Sequence, residues 1–169
     1  MRRFFVVLFV LFSLSCAAPP QQPESTAVEN LDLGLKLAAL PDGMAVLSNQ
    51  GSSLELTPSG EGEEGVLWFA VGPEQDGVNL VAAVQDHQAR MEVMDEGDYK
   101  GAQELQGDFG TAFYSRGRFV DAGALVEETV VFMIHPAGTR LLAIHYRYPA
   151  GDDSAARVEE LIDVVSYLE

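Results

Sequence analysis

The fold is decided by residues 125–148, which read LVEETVVFMIHPAGTRLLAIHYRY. Two runs rich in β-branched and aromatic residues, a composition typical of strands, flank the turn Pro136-Ala137-Gly138-Thr139. If Pro136 faces Thr139, these runs form an antiparallel hairpin. Its pairs are then Met133 with Leu142, Phe132 with Ala143, Val131 with Ile144, Val130 with His145 and Glu128 with Arg147. Near the turn both faces of the hairpin are apolar, so we expect other elements to cover both sides of the sheet.

Further strands and two helices are predicted from the period of the apolar residues. Alternating or continuous apolar residues predict strands over residues 31–40, 44–48, 53–57, 66–71 and 110–119, and a weaker one over 101–106. An amphipathic helix is indicated by the stripe Leu80, Val84, His87, Met91 and Met94. A second helix is predicted over residues 152–168, with Asp152, Asp153 or Ser154 as its cap and one apolar face formed by Val158, Leu161, Ile162, Val165 and Leu168. Short turns between consecutive strands indicate an α+β fold, a mainly antiparallel sheet of about six or seven strands covered by helices on both faces.

The N-terminus has the three parts of a secretory signal. Met1-Arg2-Arg3 is a short basic head, residues 4–15 are apolar or small, and Ser15 precedes Cys16, the only cysteine of the chain. An uncleaved membrane helix would need about 20 apolar residues, which is more than residues 4–15 supply. An ordinary signal cleaved before a lone cysteine would leave an exposed free thiol in an oxidising compartment, and this disfavours that alternative.

The segment Phe12-Ser13-Leu14-Ser15-Cys16 resembles the lipobox of bacterial lipoprotein precursors, although the strict form has Leu where this chain has Ser13. The resemblance implies that residues 1–15 are removed and that Cys16 carries acyl chains. Two or more such chains anchor a protein stably to a membrane, whereas one chain holds it only marginally. Ala17, and not Asp, follows Cys16. By analogy with Gram-negative sorting, this implies the outer membrane, facing the periplasm; in an organism with one membrane the protein would face outward.

The rest of the chain divides into a linker and a domain. Residues 16–30 contain three prolines and no apolar periodicity, which indicates a lipidated N-terminus followed by a disordered Pro/Gln-rich linker. Residues 31–169 have the size of a single α+β domain. The net charge of −16 becomes −18 when Arg2 and Arg3 are removed, with eight basic side chains against 26 acidic ones. This balance argues against a nucleic-acid partner and fits a cationic partner, divalent ions or solubility alone.

Three stretches of the domain resemble the PsbP-like family and the related Ran-binding factors. They are Leu40-Pro41-Asp42-Gly43-Met44, residues 107–119, and the closing strand Leu141-Leu142-Ala143-Ile144-His145-Tyr146-Arg147-Tyr148-Pro149 with the helix that follows it. The resemblance implies an α/β/α sandwich and the role of an extrinsic accessory or assembly protein. No functional site of the family can be transferred to this chain residue by residue.

His145 is the strongest candidate for polar chemistry, because the predicted hairpin places it on one face with Glu128 and Arg147. These residues are suited to bind an anion or to orient the imidazole, whose charge changes near neutral pH. The alternative is a cross-strand ion pair with a neighbouring histidine. His87 lies on the apolar stripe and is expected to be a core or boundary residue, and His135 is expected to be a turn residue.

The remaining patterns do not indicate catalysis. The histidines lack the spacing of a preformed metal site, and neither a nucleophile elbow nor a phosphate-binding glycine loop occurs. We therefore expect no cofactor and no metal. The sequence predicts a non-enzymatic envelope protein, held to the membrane by acyl chains on Cys16, with an envelope protein as partner. Two alternatives remain open: a periplasmic module that binds a small ligand or a cation through its aromatic strand face or acidic surface, and a hydrolase without a recognised motif.

Overall fold

The computed structural model describes residues 27–151 and 154–169. The predicted signal, Cys16 and most of the predicted linker lie outside the described residues, as do Asp152 and Asp153, two of the predicted helix caps. Within the described part, neither helix has the length and apolar character needed to cross a lipid bilayer.

The strands of the described part form two antiparallel sheets. In chain order the elements are β1 (Val28–Asn30), β2 (Leu35–Leu37), β3 (Met44–Gln50), β4 (Ser53–Pro58), β5 (Val66–Glu74), α1 (Leu80–Val93), β6 (Asp98–Gly107), β7 (Gly110–Asp121), β8 (Ala124–Ile134), β9 (Arg140–Pro149) and α2 (Ser154–Ser166). β1 pairs with β2, and the other seven strands form one sheet in the order β3-β4-β5-β9-β8-β7-β6. The α+β class and the mainly antiparallel sheet predicted from the sequence are confirmed.

The hairpin of β8 and β9 lies in the middle of the large sheet and has the predicted register. Met133 lies opposite Leu142, and Glu128 lies opposite Arg147. The register is strongly specified because a slip of one residue would move every side chain of the strand to the other face. Neighbouring residues of β8, such as Val130 and Val131, are both buried, and they belong to two different hydrophobic clusters.

The helix α1 packs against the smaller of these clusters. It begins after Asn79, whose side-chain Oδ1 accepts a hydrogen bond of 3.0 Å from the backbone N–H of Ala82, an N-cap interaction. The helix contacts β6, β7 and β8. Its buried residues are Ala83, His87 and Met91, which include two members of the predicted stripe. The smaller cluster consists of Ala83, Val130, Phe132 and Ala143.

The helix α2 packs against the larger cluster. Its buried apolar residues Leu161, Val164 and Val165 lie there with residues of the sheet that include Val131, Met133 and Ile144. The predicted apolar face is rotated slightly in the structure, because Val158 and Ile162 are only half-buried whereas Val164 is fully buried.

Polar contacts attach α2 to β9 and to the small sheet. Tyr146 Oη donates a hydrogen bond of 2.8 Å to Glu160 Oε2, and Arg157 Nη1 donates one of 3.2 Å to Tyr146 Oη. Beyond the helix, Leu168 forms a bridge with Leu37 of β2. The C-terminal helix is therefore joined to the N-terminal hairpin as well as to the centre of the large sheet.

The chain around Asn30 differs from the prediction. Residues 28–30, which the sequence analysis places in the linker, form β1, and the predicted strand over residues 31–40 is interrupted by a turn before β2. Asn30 Oδ1 accepts a hydrogen bond of 2.9 Å from the N–H of Leu33, a local bond that favours a turn over a strand. Gly34 has a φ of 67°, a conformation that residues with a side chain rarely adopt.

Gly117 of β7 allows α1 to lie directly on the sheet. A Cβ atom at position 117 would lie 2.4 Å from Met91 Sδ and 2.5 Å from its Cγ, much closer than a van der Waals contact. Met91 is fully buried, so its side chain has no route into solvent. The spacing between helix and sheet at this point depends on the absence of a side chain from residue 117.

We predict that Gly117→Ala lowers the free energy of unfolding by about 1–3 kcal/mol, because it overpacks the contact with Met91. Gly72→Ala in β5 is the matched control, since its Cβ would lie 3.5 Å from the nearest atom, an ordinary contact with Leu141. Urea denaturation of both variants measures the difference. In the Met91→Ala background the same Gly117→Ala change should have a smaller effect. Equal stabilities of the two glycine variants would contradict this account of the packing.

Candidate functional site

Glu128 is a fully buried carboxylate in the middle of the large sheet. It lies on β8 between Gly117 of β7 and Arg147 of β9, and none of its surface is exposed. Moving a carboxylate out of water has a free-energy penalty of several kcal/mol, so a buried one requires charged partners and hydrogen bonds. The partners of Glu128 therefore identify the polar site of the molecule.

Two of these partners come from the neighbouring strand β9. Arg147 Nη2 donates a hydrogen bond of 2.9 Å to Glu128 Oε2, and Arg147 Nε donates one of 3.3 Å to the same oxygen. His145 Nδ1 lies 3.4 Å from Glu128 Oε1. The structure thus brings together the three residues of the predicted polar cluster, Glu128, His145 and Arg147.

Two further partners come from α1, which the sequence analysis did not connect to this site. Arg90 Nη2 forms an ion pair with Glu128 Oε1. His87 Nε2 lies 3.6 Å from the same oxygen, slightly beyond hydrogen-bonding distance. We call these five residues, Glu128, His87, Arg90, His145 and Arg147, the Glu128 cluster.

The carboxylate of Glu128 is fully occupied by these groups. Burial alone would raise the pKa of Glu128. The nearby imidazoles of His145 and His87 and the guanidinium groups of Arg90 and Arg147 outweigh burial, so that this pKa lies well below its usual range. Each carboxylate oxygen has two polar neighbours that take up its lone pairs. The group is therefore held ionised and has little capacity to accept a proton from another molecule.

His87 links the cluster to the next strands of the sheet. Its Nδ1 lies 2.8 Å from Ser115 Oγ on β7, and Ser115 Oγ lies 3.2 Å from Tyr99 Oη on β6. An ionised carboxylate only accepts hydrogen bonds, so the tautomer with the proton on Nε2 fits the approach of His87 to Glu128. The chain of polar contacts ties α1 to four strands.

The cavity beside the Glu128 cluster is small. Its volume is about 220 Å³, and its lining includes Asp86, Phe132 and Leu141 together with the two histidines. Organic ligands and cofactors generally occupy sites of about 300–1,000 Å³. The shape of this region fits an ion-pair network that attaches α1 to the sheet better than a substrate pocket.

A larger opening lies next to the cluster, at the end of the sheet where β5 begins and β9 ends. We call it the Trp68 groove; it has a volume of about 510 Å³, and its lining includes Glu64, Val66, Trp68, Leu125, Val126, Arg147 and Pro149. Trp68 stacks on His145 with their ring centroids 4.8 Å apart. The guanidinium of Arg147 lies 5.4 Å from the centre of the Trp68 ring and 5.0 Å from that of Phe119. Arg147 therefore belongs both to the cluster and to the groove.

The remaining residues singled out from the sequence are the histidines His87 and His135 and the cysteine Cys16. His87 is buried as expected. His135 lies at the turn, as expected, and is buried there: its carbonyl accepts a hydrogen bond from the N–H of Gly138, its Nδ1 accepts one of 3.0 Å from the N–H of Ala137, and its Nε2 donates one of 3.0 Å to the carbonyl of Leu33. In the described part of the chain, no group of three or more His, Cys, Asp or Glu side chains is arranged to hold a metal ion. Cys16, the predicted lipid attachment site, lies outside the described residues.

Arg90 is the functional candidate that sequence reasoning missed, whereas Trp68 was named only among the aromatic strand residues that could line a ligand groove. Arg90 follows His87 by three residues, so the two share a helix face, and a cation beside an otherwise apolar stripe indicates a buried anionic partner. Trp68 lies in a strand that reads as continuously apolar, where an aromatic residue looks like packing. Its position opposite His145 became visible only through the pairing of β5 with β9.

Comparison with known proteins supports the fold. No protein-family model matches the sequence, and no curated protein matches it. Among solved structures, the Ran-binding protein Mog1p of Saccharomyces cerevisiae is similar over 86% of this chain and 95% of its own, with a TM-score of 0.56 and 14% sequence identity. A point mutant of Mog1 covers the same shares, with a TM-score of 0.53 and 15% identity. LpqN of Mycobacterium tuberculosis, described as involved in cell envelope biogenesis, covers 86% of this chain and 83% of its own, with a TM-score of 0.47 and 12% identity. At these identities the likeness to Mog1 shows a related fold alone, which agrees with the predicted resemblance to Ran-binding factors.

We predict that Glu128→Gln lowers the free energy of unfolding at pH 7 by about 2–4 kcal/mol. Removing one partner of a buried ion pair leaves the other uncompensated, and the partial exposure of Arg90 and Arg147 keeps the loss in the lower part of the usual range. Because the pKa of Glu128 is lowered in the folded state, its contribution is complete above the ordinary value of 4.5 and is lost progressively as the pH falls below it. The difference in free energy of unfolding between the wild type and the Glu128→Gln variant should therefore become smaller at acidic pH.

Urea denaturation followed by the fluorescence of Trp68 at pH 7 and pH 3.5 measures both effects. Glu127→Gln is the matched control, since it neutralises the adjacent residue, which is only half-buried. A Glu128→Gln protein as stable as the Glu127→Gln protein at pH 7 would show that the cluster contributes little.

Proposed function

We propose that this chain is a lipid-anchored, non-enzymatic protein of the bacterial envelope, whose α+β domain binds a partner protein. The proposed lipid anchor is supported by the sequence from Met1 to Cys16, which has a basic head, a short apolar run and a single cysteine after a small residue. Acyl chains on Cys16 would hold the domain at a membrane although no described helix is able to cross one. Ala17 after the cysteine favours the outer membrane, facing the periplasm, or the outer face of a single membrane.

The Glu128 cluster supports a non-enzymatic role. Its one carboxylate is occupied by Arg90, Arg147 and His145, so Glu128 is not a free base for proton abstraction. The cavity next to it is smaller than the sites that organic substrates occupy. The chemistry of the cluster is that of a structural network, which holds α1 in place.

The Trp68 groove supports a binding role. It combines an aromatic side chain, partly exposed aliphatic side chains and charged groups at its edge, which is the usual composition of a protein-binding surface. Mog1, which has a related fold, is a Ran-binding protein, so this fold is able to present a protein-binding surface. The fold alone does not determine the function.

A second candidate function, the binding of a small apolar ligand, is favoured by the volume of the same groove. About 510 Å³ lies within the range of small-molecule sites, and the lining is mainly apolar. The open position of the groove at the end of the sheet, with Leu125 exposed by 42%, favours a protein segment over an enclosed ligand.

We also infer that the domain is an α/β/α sandwich. Successive side chains of a strand point to opposite faces of its sheet, and neighbouring residues of β8 divide between the cluster of α1 and the cluster of α2. Each face of the central hairpin would then be covered by one helix, as the resemblance to the PsbP-like family implies.

We predict that Cys16→Ser releases the protein from membranes and abolishes labelling by a fatty-acid probe, because serine lacks the thiol that accepts the acyl group. Ser13→Ala is the matched control in the same signal and should leave labelling and membrane fractionation unchanged. If the Cys16→Ser protein fractionates with membranes to the same extent as the wild type, the proposed lipid anchor is wrong.

The binding role is tested in cells with photo-crosslinking residues placed at exposed positions of the domain, among them Leu125 in the groove and Leu47 on β3. A specific crosslinked protein at any of these positions supports a partner-binding domain. If none of the tested positions gives a crosslinked protein, the proposed binding role is contradicted.

A further inference from the structure

The Trp68 groove lies at an acidic end of the large sheet. Val66 at the start of β5 pairs with Arg147 near the end of β9, and Val126 near the start of β8 pairs with Pro149. The connection from β4 to β5 and the turn from β7 to β8 therefore meet at the groove. Both of these connections carry acidic side chains.

The charged residues of the two chain segments that meet at the groove are all acidic. The β4–β5 connection contains Glu61, Glu63 and Glu64, all exposed, and residues 59–65 include no lysine or arginine. Residues 121–126 also include no lysine or arginine, and Asp121 is the charged residue among them.

The positive charge that lines the groove is already compensated. Arg147 Nη1 lies 2.6 Å from Asp121 Oδ2, and Arg147 Nη2 lies 2.9 Å from Glu128 Oε2. Glu63 has a cation near it, with Arg157 Nη1 at 3.8 Å. Glu64, which lines the groove itself, remains exposed at its edge. The groove therefore presents a negative edge to an approaching partner.

The walls of the groove supply an apolar contact surface within this negative edge. Val66, Val126 and Pro149 are partly exposed, and Leu125 is exposed by 42%. One face of Trp68 is covered by His145, which fixes the orientation of the indole. A rigid aromatic surface that is already oriented binds an apolar side chain with little loss of conformational entropy.

We propose that the Trp68 groove docks a segment of a partner protein in which an apolar side chain is flanked by lysine or arginine residues. The apolar side chain would contact Trp68 and Leu125, and its basic neighbours would lie beside Glu64 and the rest of the β4–β5 connection. This assignment rests on the proposed binding role and specifies its surface and the chemistry of its partner. The net charge of −16 disfavours anionic membranes and nucleic acids at the same surface.

The fluorescence of Trp68, the only tryptophan of the chain, reports directly on the groove. The full chain in neutral phosphatidylcholine vesicles is titrated with the capped pentapeptide Lys-Lys-Leu-Lys-Lys. We expect a saturable change in emission that weakens with added salt, because charges near the surface are screened. The analogue with glycine in place of leucine should bind about tenfold more weakly, and the analogue with glutamate in place of lysine should give no change.

Two pairs of variants separate the groove from the rest of the surface. Leu125→Ser should weaken binding of the peptide, whereas Leu47→Ser, at an exposed leucine of β3, should not. Glu64→Lys should weaken it more than Glu159→Lys, which makes the same change in net charge on an exposed position of α2. Equal effects within either pair, or equal binding of the lysine and glutamate peptides, would overturn the proposal. A response of Trp68 to phosphatidylglycerol vesicles that matches its response to the peptide would also overturn it.

Failure of this inference is distinguishable from failure of the binding role. A crosslinked protein at Leu47 with none at Leu125 would leave a partner-binding domain with a different surface and would refute the groove. A crosslinked protein at Leu125 whose attachment depends on Glu64 would support both.

Discussion

The burial of the Glu128 carboxylate is the constraint on which the arrangement of α1 and the central strands depends. Such a group has a large desolvation penalty, which is offset only when its cationic partners are in place. Arg147 comes from the adjacent strand β9, and Arg90 comes from α1. The carboxylate is therefore satisfied only when the strand pair has its native register and the helix lies on the sheet, so that the network favours one packing of these elements over its alternatives.

Arg147 extends this constraint to the surface of the domain. Its guanidinium contacts Glu128 on one side and lies over the rings of Trp68 and Phe119 on the other. Contacts between a cation and aromatic rings are stronger when the cation is held in position and partly desolvated. The buried ion pair thus holds the side chain that forms part of the Trp68 groove, and the core and the candidate binding surface are physically connected.

The sequence was sufficient for features that depend on neighbouring residues or on one strand pair. The register of β8 with β9 followed from the turn at Pro136 and from apolar residues on both faces, and it placed Glu128, His145 and Arg147 together. Arg90 could not be placed, because its position depends on how α1 crosses the sheet, a tertiary property that Gly117 and Met91 determine. The strand β1 was missed because a short strand after a proline-rich segment has too few residues to show a period.

The Glu128 carboxylate is occupied by its partners, whereas the Trp68 groove is open, and this difference favours the groove as the place where a partner would bind. Among the side chains that most resemble catalytic groups, the Glu128 carboxylate is held by Arg90, Arg147 and His145, and His87 Nδ1 contacts Ser115. His87 Nε2 has no hydrogen-bond partner within the described part of the chain. The Trp68 groove, in contrast, keeps apolar surface in contact with water beside acidic loops. Contact of that surface with a partner would release this water and pair those charges, and both effects would favour binding at the groove.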